Sequence, residues 1–408
     1  MSSSLLATRS KQRQEIEEIS QNPNLIKDLK ILPQNYSFEI PKTIWKIKST
    51  QSKTVYFQLV FPTSSPFSGS GNDWIFHLIL FFSSPVALQM PEGLTMFAWA
   101  CCVDDYTARA LGCDLLVHYA HSCLVPIQHT IGIHLLYVFV NIDIQITHFY
   151  DTIKQNFNSN KNSLKIALVS TIQFIASFTT KKQLEKDGFQ IIIPQANPLS
   201  PGELLGCTSP KLPDDVSAII YLGDGRFHLE SIMIHNPKIP AYQYNPYSNE
   251  FTIEKYGFEM LLSNRQKAIE IARKSKRIGL ILGTLGRQGN IKIFEFIEQQ
   301  LINSGKQPIK ILLSEIFGSI LDKFNSIDCW VQIACPRLSI DWGHTFKLPL
   351  LTPFEMSTAI LSNNNLIKLN DYPMDYYANE SRGPWTNNHE NYRQNRKKKI
   401  EHISLIKC

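Results

Sequence analysis

The sequence has no long hydrophobic run. Its most apolar stretch, WIFHLILFF from Trp74 to Phe82, falls well short of the roughly 20 residues that cross a bilayer, so no membrane span is expected. The amino end, MSSSLLATRSKQRQEIEEIS, turns polar and charged within a few residues and lacks the apolar core of a secretory signal. Charge of one sign is not in large excess either. The net charge of +6 is too mild to point to nucleic acid, and part of it lies in RQNRKKK, Arg393 to Lys399, within what reads as a solvated tail. There is no Gly-Lys-Ser/Thr phosphate loop, which argues against nucleotide hydrolysis. The eight cysteines, at 101, 102, 113, 123, 207, 329, 335 and 408, show none of the Cys-x-x-Cys pairing of zinc knuckles or thioredoxin-like sites. These absences leave a cytoplasmic protein with reduced thiols as the expectation.

What the chain does contain is alternation. Short apolar runs, VALQM (86–90), DLLVHYA (114–120), LLYVFVNI (135–142), SLKIALVST, AIIYLGDG, RIGLILGT and IKILLSEI, are separated by amphipathic stretches such as FEMLLSNRQKAIEIARKSK. Strands alternating with helices predict βαβ units and parallel sheets. Hydrophobic residues at 43% are ample for several cores in a chain of this length. The pattern divides into a polar helical segment over 1–30, α/β domains over 31–132, 133–260 and 261–385, and a basic disordered tail over 386–408. Residues 55–85, rich in Ser, Pro, Gly and Phe, follow no helical or strand period and read as a poorly packed insert.

One cysteine stands apart. Cys207 occupies the tight turn Gly-Cys-Thr-Ser-Pro, and its nearest neighbours in sequence are Cys123 and Cys329. Each α/β domain carries a cysteine just after a strand or in a strand-to-helix turn: Cys101, Cys207 and Cys335. Loops at the carboxyl ends of parallel strands are where such folds build sites. Three domains can therefore each lend one thiolate to a shared centre. Three sulfurs with an open fourth position suit an iron–sulfur cluster; zinc is the competing occupant, and a buried inert thiol is the ordinary fate of any single cysteine. Cys102, Cys113, Cys123 and Cys329 read as structural, Cys408 as a tail thiol, and His118 and His121 as hydrogen-bonded structural histidines. The loop GTLGRQGN, with Gly283, Gly286 and Gln288, is either a plain strand-to-helix turn or a cradle for part of a cofactor. LGDGRF, with Asp224 and Arg226, is either a bare turn or a cavity lining.

The wording around these cysteines is more specific than their spacing. LPQNYSFEIPKTIW, VALQMPEGL, ACCVDDYTARALGCDLLVHYAHSCL, LLGCTSP, YLGDGRFHLE, RIGLILGTLGRQGN, WVQIACPRLSIDWG and YPMDYYANESRGPWT closely resemble the radical-subunit family of diphthamide synthase, on the side of the eukaryotic first subunit. The resemblance runs from about residue 31 to residue 386. It implies three homologous α/β domains around a 4Fe–4S cluster held by Cys101, Cys207 and Cys335. It implies S-adenosylmethionine as the substrate bound at the cluster and cleaved to a 3-amino-3-carboxypropyl radical. It also implies transfer of that group to C2 of a histidine imidazole on translation elongation factor 2, with methylthioadenosine leaving. The implied partners are a second diphthamide synthase subunit in a heterodimer, a small iron-protein electron donor and elongation factor 2, with no nucleic acid and no membrane. Gly283, Gly286, Gln288, Asp224 and Arg226 become candidates for contacting the cofactor.

The sequence departs from the family in its first domain. The insert at 55–85 interrupts the family's wording, Trp99 replaces a family glycine, and MFAWACCVDD follows MPEGL almost directly, as though one βα unit were missing. An inactive form retaining only partner docking, or a zinc-binding structural protein, would be the alternatives.

Overall fold

The computed structural model describes residues 2–30, 34–59, 86–89, 102–120, 124–125, 127, 130, 132–157, 164–361 and 372–392. These fall into two compact units. One holds the described residues up to Ile144 together with Ile172–Ser177; the other holds Gln145–Thr171 and everything described from Phe178 onward.

The first unit opens with the helices α1 (Ser2–Ser20) and α2 (Pro23–Leu29). The Asn22 side chain caps α2 by accepting from the amides of Asn24 and Leu25, which satisfies donors that no helical carbonyl can reach. Next come β1 (Tyr36–Ser37), α3 (Ile40–Thr50), β2 (Val55–Leu59), β3 (Val86–Gln89), α4 (Asp105–Ala110), β4 (Leu115–Ala120), β5 (His134–Phe139) and β6 (Asn141–Ile142). β1 and β6 form a short antiparallel pair. The other four build a parallel sheet in the order β3-β2-β4-β5.

Two sequence expectations change here. The head of the supposed insert, Val55 to Leu59, is not loose chain. It is an inner strand of the sheet, hydrogen-bonded to β3 on one side and β4 on the other, with Val55, Tyr56 and Phe57 at most 2% exposed. A run of β-branched and aromatic residues buried on both faces needs no alternation, which is why a search for period missed it. Among the described residues this sheet has four strands, and the expected shortage of a βα unit does not show among them as a missing strand; residues 60–85, like Trp99, lie outside the described residues. Likewise β5, expected at the start of the second domain, pairs with β4 instead. A strand's own residues do not say which sheet it joins.

In the second unit, α5 (Ile146–Phe157) leads into β7 (Lys165–Ser170), α6 (Lys181–Lys186), β8 (Gln190–Ile192), β9 (Ala218–Leu222), α7 (Phe227–His235), β10 (Ala241–Asn245) and β11 (Glu250–Glu254). The strands order as β8-β7-β9-β10, with β11 added antiparallel at the edge. Then α8 (Phe258–Lys274), β12 (Arg277–Gly283), α9 (Ile291–Asn303), β13 (Gln307–Leu313), α10 (Gly318–Leu321), β14 (Cys329–Ile333), α11 (Pro336–Trp342), β15 (Leu350–Leu351) and α12 (Pro353–Leu361) give a third sheet, β13-β12-β14-β15. Ile278, Leu280, Val331 and Ile333 on its strands pack against Ile269 of α8, Ile293 and Ile297 of α9 and Met356 of α12, all buried. Residues 386–392, assigned from sequence to the disordered tail, begin packed: Thr386 is buried and the Asn387 amide donates to the Tyr376 carbonyl. Arg393 onward lies outside the described residues.

All three sheets thus repeat one parallel order, in which the first two strands run outward one way and the next two the other. They also share a small device. Asp114, just before β4, accepts from the amides of Lys53 and Thr54 at the head of β2. Asp328, just before β14, does the same for Lys276 and Arg277 at the head of β12. In the second sheet the Ser217 hydroxyl takes the place of the carboxylate and accepts from the Lys165 amide. A side-chain oxygen at the start of one strand thus ties down the first amides of its neighbour, which have no ladder partner of their own there.

Candidate metal centre

An open parallel sheet leaves a crevice where its strand order reverses, outside the carboxyl ends of the two inner strands. In the third sheet those ends are Gly283 of β12 and the Ala334–Cys335 turn that follows β14. In the second they are Ser170 of β7 and the Gly223–Asp224 turn that follows β9. Most of the sequence-predicted candidates therefore sit at reversal points.

Around Cys335 the chain is held tightly. Cys335 is the residue before α11, and its side chain makes no capping bond there, so the sulfur remains available. The buried Gln332 side-chain amide donates to the Cys335 carbonyl at 2.8 Å and to the Ser339 hydroxyl at 3.0 Å, clamping the turn from below. Gly283 lets β12 approach this turn, since a Cβ there would lie 2.5 Å from the Cβ of Ala334. The loop beyond then curls back on itself: Gly286 adopts φ +55°, and a Cβ on Gly289 would lie 2.1 Å from the Gly283 carbonyl oxygen. Gln288 is buried in that curl.

The turn carrying Cys207 is fixed by a distant part of the chain. Residues 372–377 run beside it: the Ser209 amide donates to the Met374 carbonyl, the Tyr376 amide to the Cys207 carbonyl, and the Tyr377 amide to the Thr208 hydroxyl. His235, at the end of α7, lies 2.9 Å through Nδ1 from the Ser209 carbonyl. A Cβ on Gly206 would sit 2.0 Å from the Phe227 ring, so only glycine allows this turn to rest on that ring.

The two thiols are in electrostatic reach of each other. Burial pushes the Cys207 thiol up to about 12, the negative charge of a Cys335 thiolate pushes in the same direction, and the Thr208 hydroxyl and Arg337 oppose them. Burial likewise raises Cys335, against the pull of the Arg337 and Leu338 amides and the Arg337 guanidinium. Thiols raised in this way, Cys207 buried and Cys335 partly exposed, hold their protons at neutral pH unless a metal displaces them. Cys207 and Pro336 share a cavity of about 30 Å3 with Ile340, Phe354, Tyr372 and Trp385, room for about one water molecule. Soft sulfur donors beside a largely apolar cavity fit an iron–sulfur cluster better than a hard cation. Cys101, the third expected ligand, lies outside the described residues, as do Cys123, His121 and Cys408. Cys102, Cys113 and Cys329 are buried and unbridged.

Asp224 is buried, with its carbonyl near the Tyr221 hydroxyl at 3.5 Å. Arg226 is about half exposed and committed elsewhere, to Glu254 at 2.8 Å, Glu230 at 3.5 Å and the Lys255 carbonyl at 2.6 Å; it ties α7 to β11. Sequence reasoning missed Arg337. Its guanidinium, 1% exposed, reaches from beside Cys335 to the carbonyl before Cys207. Only its pairing with Asp341, four residues on within CPRLSID, was visible beforehand.

Comparison with known proteins bears on the family and the fold. Residues 97–373 match the diphthamide synthesis protein family. The chain is 51% identical to the Caenorhabditis elegans protein named 2-(3-amino-3-carboxypropyl)histidine synthase subunit 1, covering 95% of this chain and 96% of that one. It is 46% identical to the human protein of the same name, over 91% and 82%. The crystal structure of Dph2 from Pyrococcus horikoshii with a 4Fe–4S cluster shares the fold, with a TM-score of 0.64 over 85% of this chain and 96% of that chain at 22% identity. No helix among the described residues is long and apolar enough to cross a membrane. With nearly its whole length aligned to such relatives and its three sheets built on one repeated parallel order, the chain belongs to the diphthamide synthesis protein family.

Proposed function

We propose that this chain is a transferase subunit for the first step of diphthamide synthesis, moving a 3-amino-3-carboxypropyl group from S-adenosylmethionine to C2 of a histidine on translation elongation factor 2. What supports this reading is that the chain is about half identical to proteins named for that product, and that it carries two lone turn cysteines, Cys207 and Cys335, of which a charge on the second raises the pKa of the first. In the reaction the bond between the sulfonium sulfur and the aminocarboxypropyl carbon breaks, a carbon–carbon bond forms at the imidazole C2, the C2 proton leaves and methylthioadenosine is released.

Cys207, Cys335 and Cys101 would hold a 4Fe–4S cluster. When bound, the cluster would supply one electron to open the carbon–sulfur bond, an electron being returned as the imidazole loses its C2 proton, and a coordination position for the amino and carboxyl groups of S-adenosylmethionine. The protein's own contribution is placement. The apolar wall of Ile340, Phe354, Tyr372 and Trp385 beside Cys207 excludes water from a reactive carbon radical. Gly283, Gly286 and Gln288 beside the Cys335 turn, and Asp224 at the end of β9, are the residues proposed to line the cofactor. Arg226 is proposed to act with them by anchoring α7. The second subunit, an iron-protein electron donor and elongation factor 2 are the proposed partners, and the cytoplasm the proposed location.

The test is anaerobic. The chain is reconstituted with iron and sulfide, combined with its partner subunit, a reductant, S-adenosylmethionine and elongation factor 2, and methylthioadenosine is quantified by chromatography. Iron and sulfide near four each per chain, with methylthioadenosine formed in step with modified histidine, is the expected result. Zinc in place of iron, or cluster binding without turnover, would overturn the reading.

A further inference from the structure

The turn bearing Cys207 lies between the second and third strands of the second sheet, and the turn bearing Cys335 follows the third strand of the third. Neither sheet can set the distance between them, because no strand of one pairs with the other. One side chain that reaches from one to the other is Arg337. Arg337 is two residues past Cys335, and its donors reach the Cys207 turn, α7 and its own helix α11. One terminal nitrogen donates to the carbonyl of Gly206, the residue before Cys207, at 3.1 Å and to the Phe227 carbonyl at 2.6 Å. The other donates to Glu230 at 2.6 Å, and Nε donates to both oxygens of Asp341 at 3.0 and 2.9 Å. The guanidinium carbon lies 4.4 Å from the centre of the Phe227 ring, the same ring on which Gly206 rests. Arg337 thus sees the Cys207 turn twice, directly through a carbonyl and indirectly through the ring.

Its charge is matched locally by Glu230 and Asp341, which also line an open cleft of about 420 Å3 with Tyr256, Met260 and Trp342. The planar fork matters more than the charge. A guanidinium offers donors in fixed directions to a carbonyl of the Cys207 turn and to carboxylates on α7 and α11, while an ammonium presents a point charge without that geometry.

We infer that Arg337 is a positioning residue that sets the separation of the Cys207 and Cys335 thiols before any metal is bound. The inference rests on the reading that these thiols are ligands of one centre. It adds that their spacing is imposed by the polypeptide rather than by the ligand.

The experiment compares the full chain with Arg337→Lys and Arg337→Met, in a Cys101→Ser background for the metal-free measurement. In the metal-free protein, phenylarsine oxide forms a bridged adduct only between neighbouring thiols, and the Cys207–Cys335 bridge is read by peptide mass spectrometry. In the reconstituted protein with Cys101 intact, iron release to a chelator is followed by visible absorbance. Melting temperature is recorded throughout. The expected result is at least a fivefold loss of the bridged adduct in both variants, and iron release at least tenfold faster, with Arg337→Lys melting close to the parent.

A purely structural role would lower the melting temperature while leaving bridging in the folded fraction unchanged, and that result would overturn the inference. So would wild-type bridging in Arg337→Lys, or no bridging in the parent. If Arg337→Met does not fold, Arg337→Lys and Phe227→Leu, which removes the ring and leaves the hydrogen bonds, carry the test. If the parent protein takes up no iron at all, the proposed function falls, and the arsenical measurement still decides the role of Arg337.

Discussion

Two arginines in the second unit are almost equally buried, and they are wired differently. Arg265 on α8, like Arg337, is 1% exposed. It meets Glu355 through Nε at 2.6 Å and through a terminal nitrogen at 2.8 Å, and it donates to the carbonyls of Ser339 and Leu350 at 2.8 Å each. Glu355 also accepts from the Tyr372 hydroxyl and the Thr352 amide, and Gly343 leaves room for the guanidinium. Nearly all of these partners belong to the third sheet and its helices, so the network is closed within one packing layer. Arg337 instead divides its bonds between the third sheet's α11 and the second sheet's turn and helix. Burying a charge costs several kcal/mol before its partners repay it. A closed network returns that cost as stability, whereas an open one also fixes the position of whatever it joins.

The largest effect should come from the thiols themselves. Cys207→Ala or Cys335→Ala should abolish both iron retention and methylthioadenosine formation, because a cluster that loses a thiolate becomes labile. Cys329→Ala, on a strand, should leave turnover measurable. Activity in Cys207→Ala would remove the cysteine turns from the comparison altogether.

Next in size is the closed network. Arg265→Met or Glu355→Gln should destabilise the protein by about 3–5 kcal/mol, the usual consequence of leaving one member of a buried ion pair without its partner. Urea unfolding measures this. Iron content per folded molecule should stay near the parent's value, in contrast to the Arg337 variants. If iron falls in step with stability in both sets, the two arginines do not differ in kind.

A pH dependence follows from His235, which steadies the Cys207 turn through Ser209. Burial drives its pKa down to about 4, against the opposing bond to the Ser209 carbonyl. The unfolded chain, with an ordinary histidine near 6.5, binds the proton more readily than the folded one. Stability is therefore full above the unfolded value and is lost as pH falls from there toward 4, by about 2 kcal/mol at pH 5. Unfolding curves at pH 7 and pH 5 measure the difference, and His235→Gln should flatten it. A slope unchanged in that variant would show that another group is responsible.

The smallest effect expected is that of Cys329→Ala on stability. This thiol is fully buried among the core residues of the third sheet, and removing its sulfur leaves a small cavity costing about 1 kcal/mol. A loss several times larger would mean that this thiol does more than fill space.

Much of this architecture could be read from the residues in order. Alternating apolar and amphipathic runs fixed the α/β class, since buried parallel strands and half-buried helices leave different periods in sequence. VALQ, LLVHYA, AIIYL and RIGLILG within the runs read from sequence fall on strands, and FEMLLSNRQKAIEIARK on a helix. The solitary Cys207 in its Gly-Cys-Thr-Ser-Pro turn was conspicuous for the same local reason: glycine before it and proline after it mark a turn whatever the rest of the chain does. What sequence could not determine was partnership. Val55 to Leu59 became an inner strand because β3 and β4 flank it, and β5 joined the first sheet because β4 offered an edge. Arg337 reaches a carbonyl 131 residues away. Local propensity acts over a few residues, whereas strand order, the meeting of two thiols and the reach of one guanidinium depend on contacts that exist only once distant segments have packed.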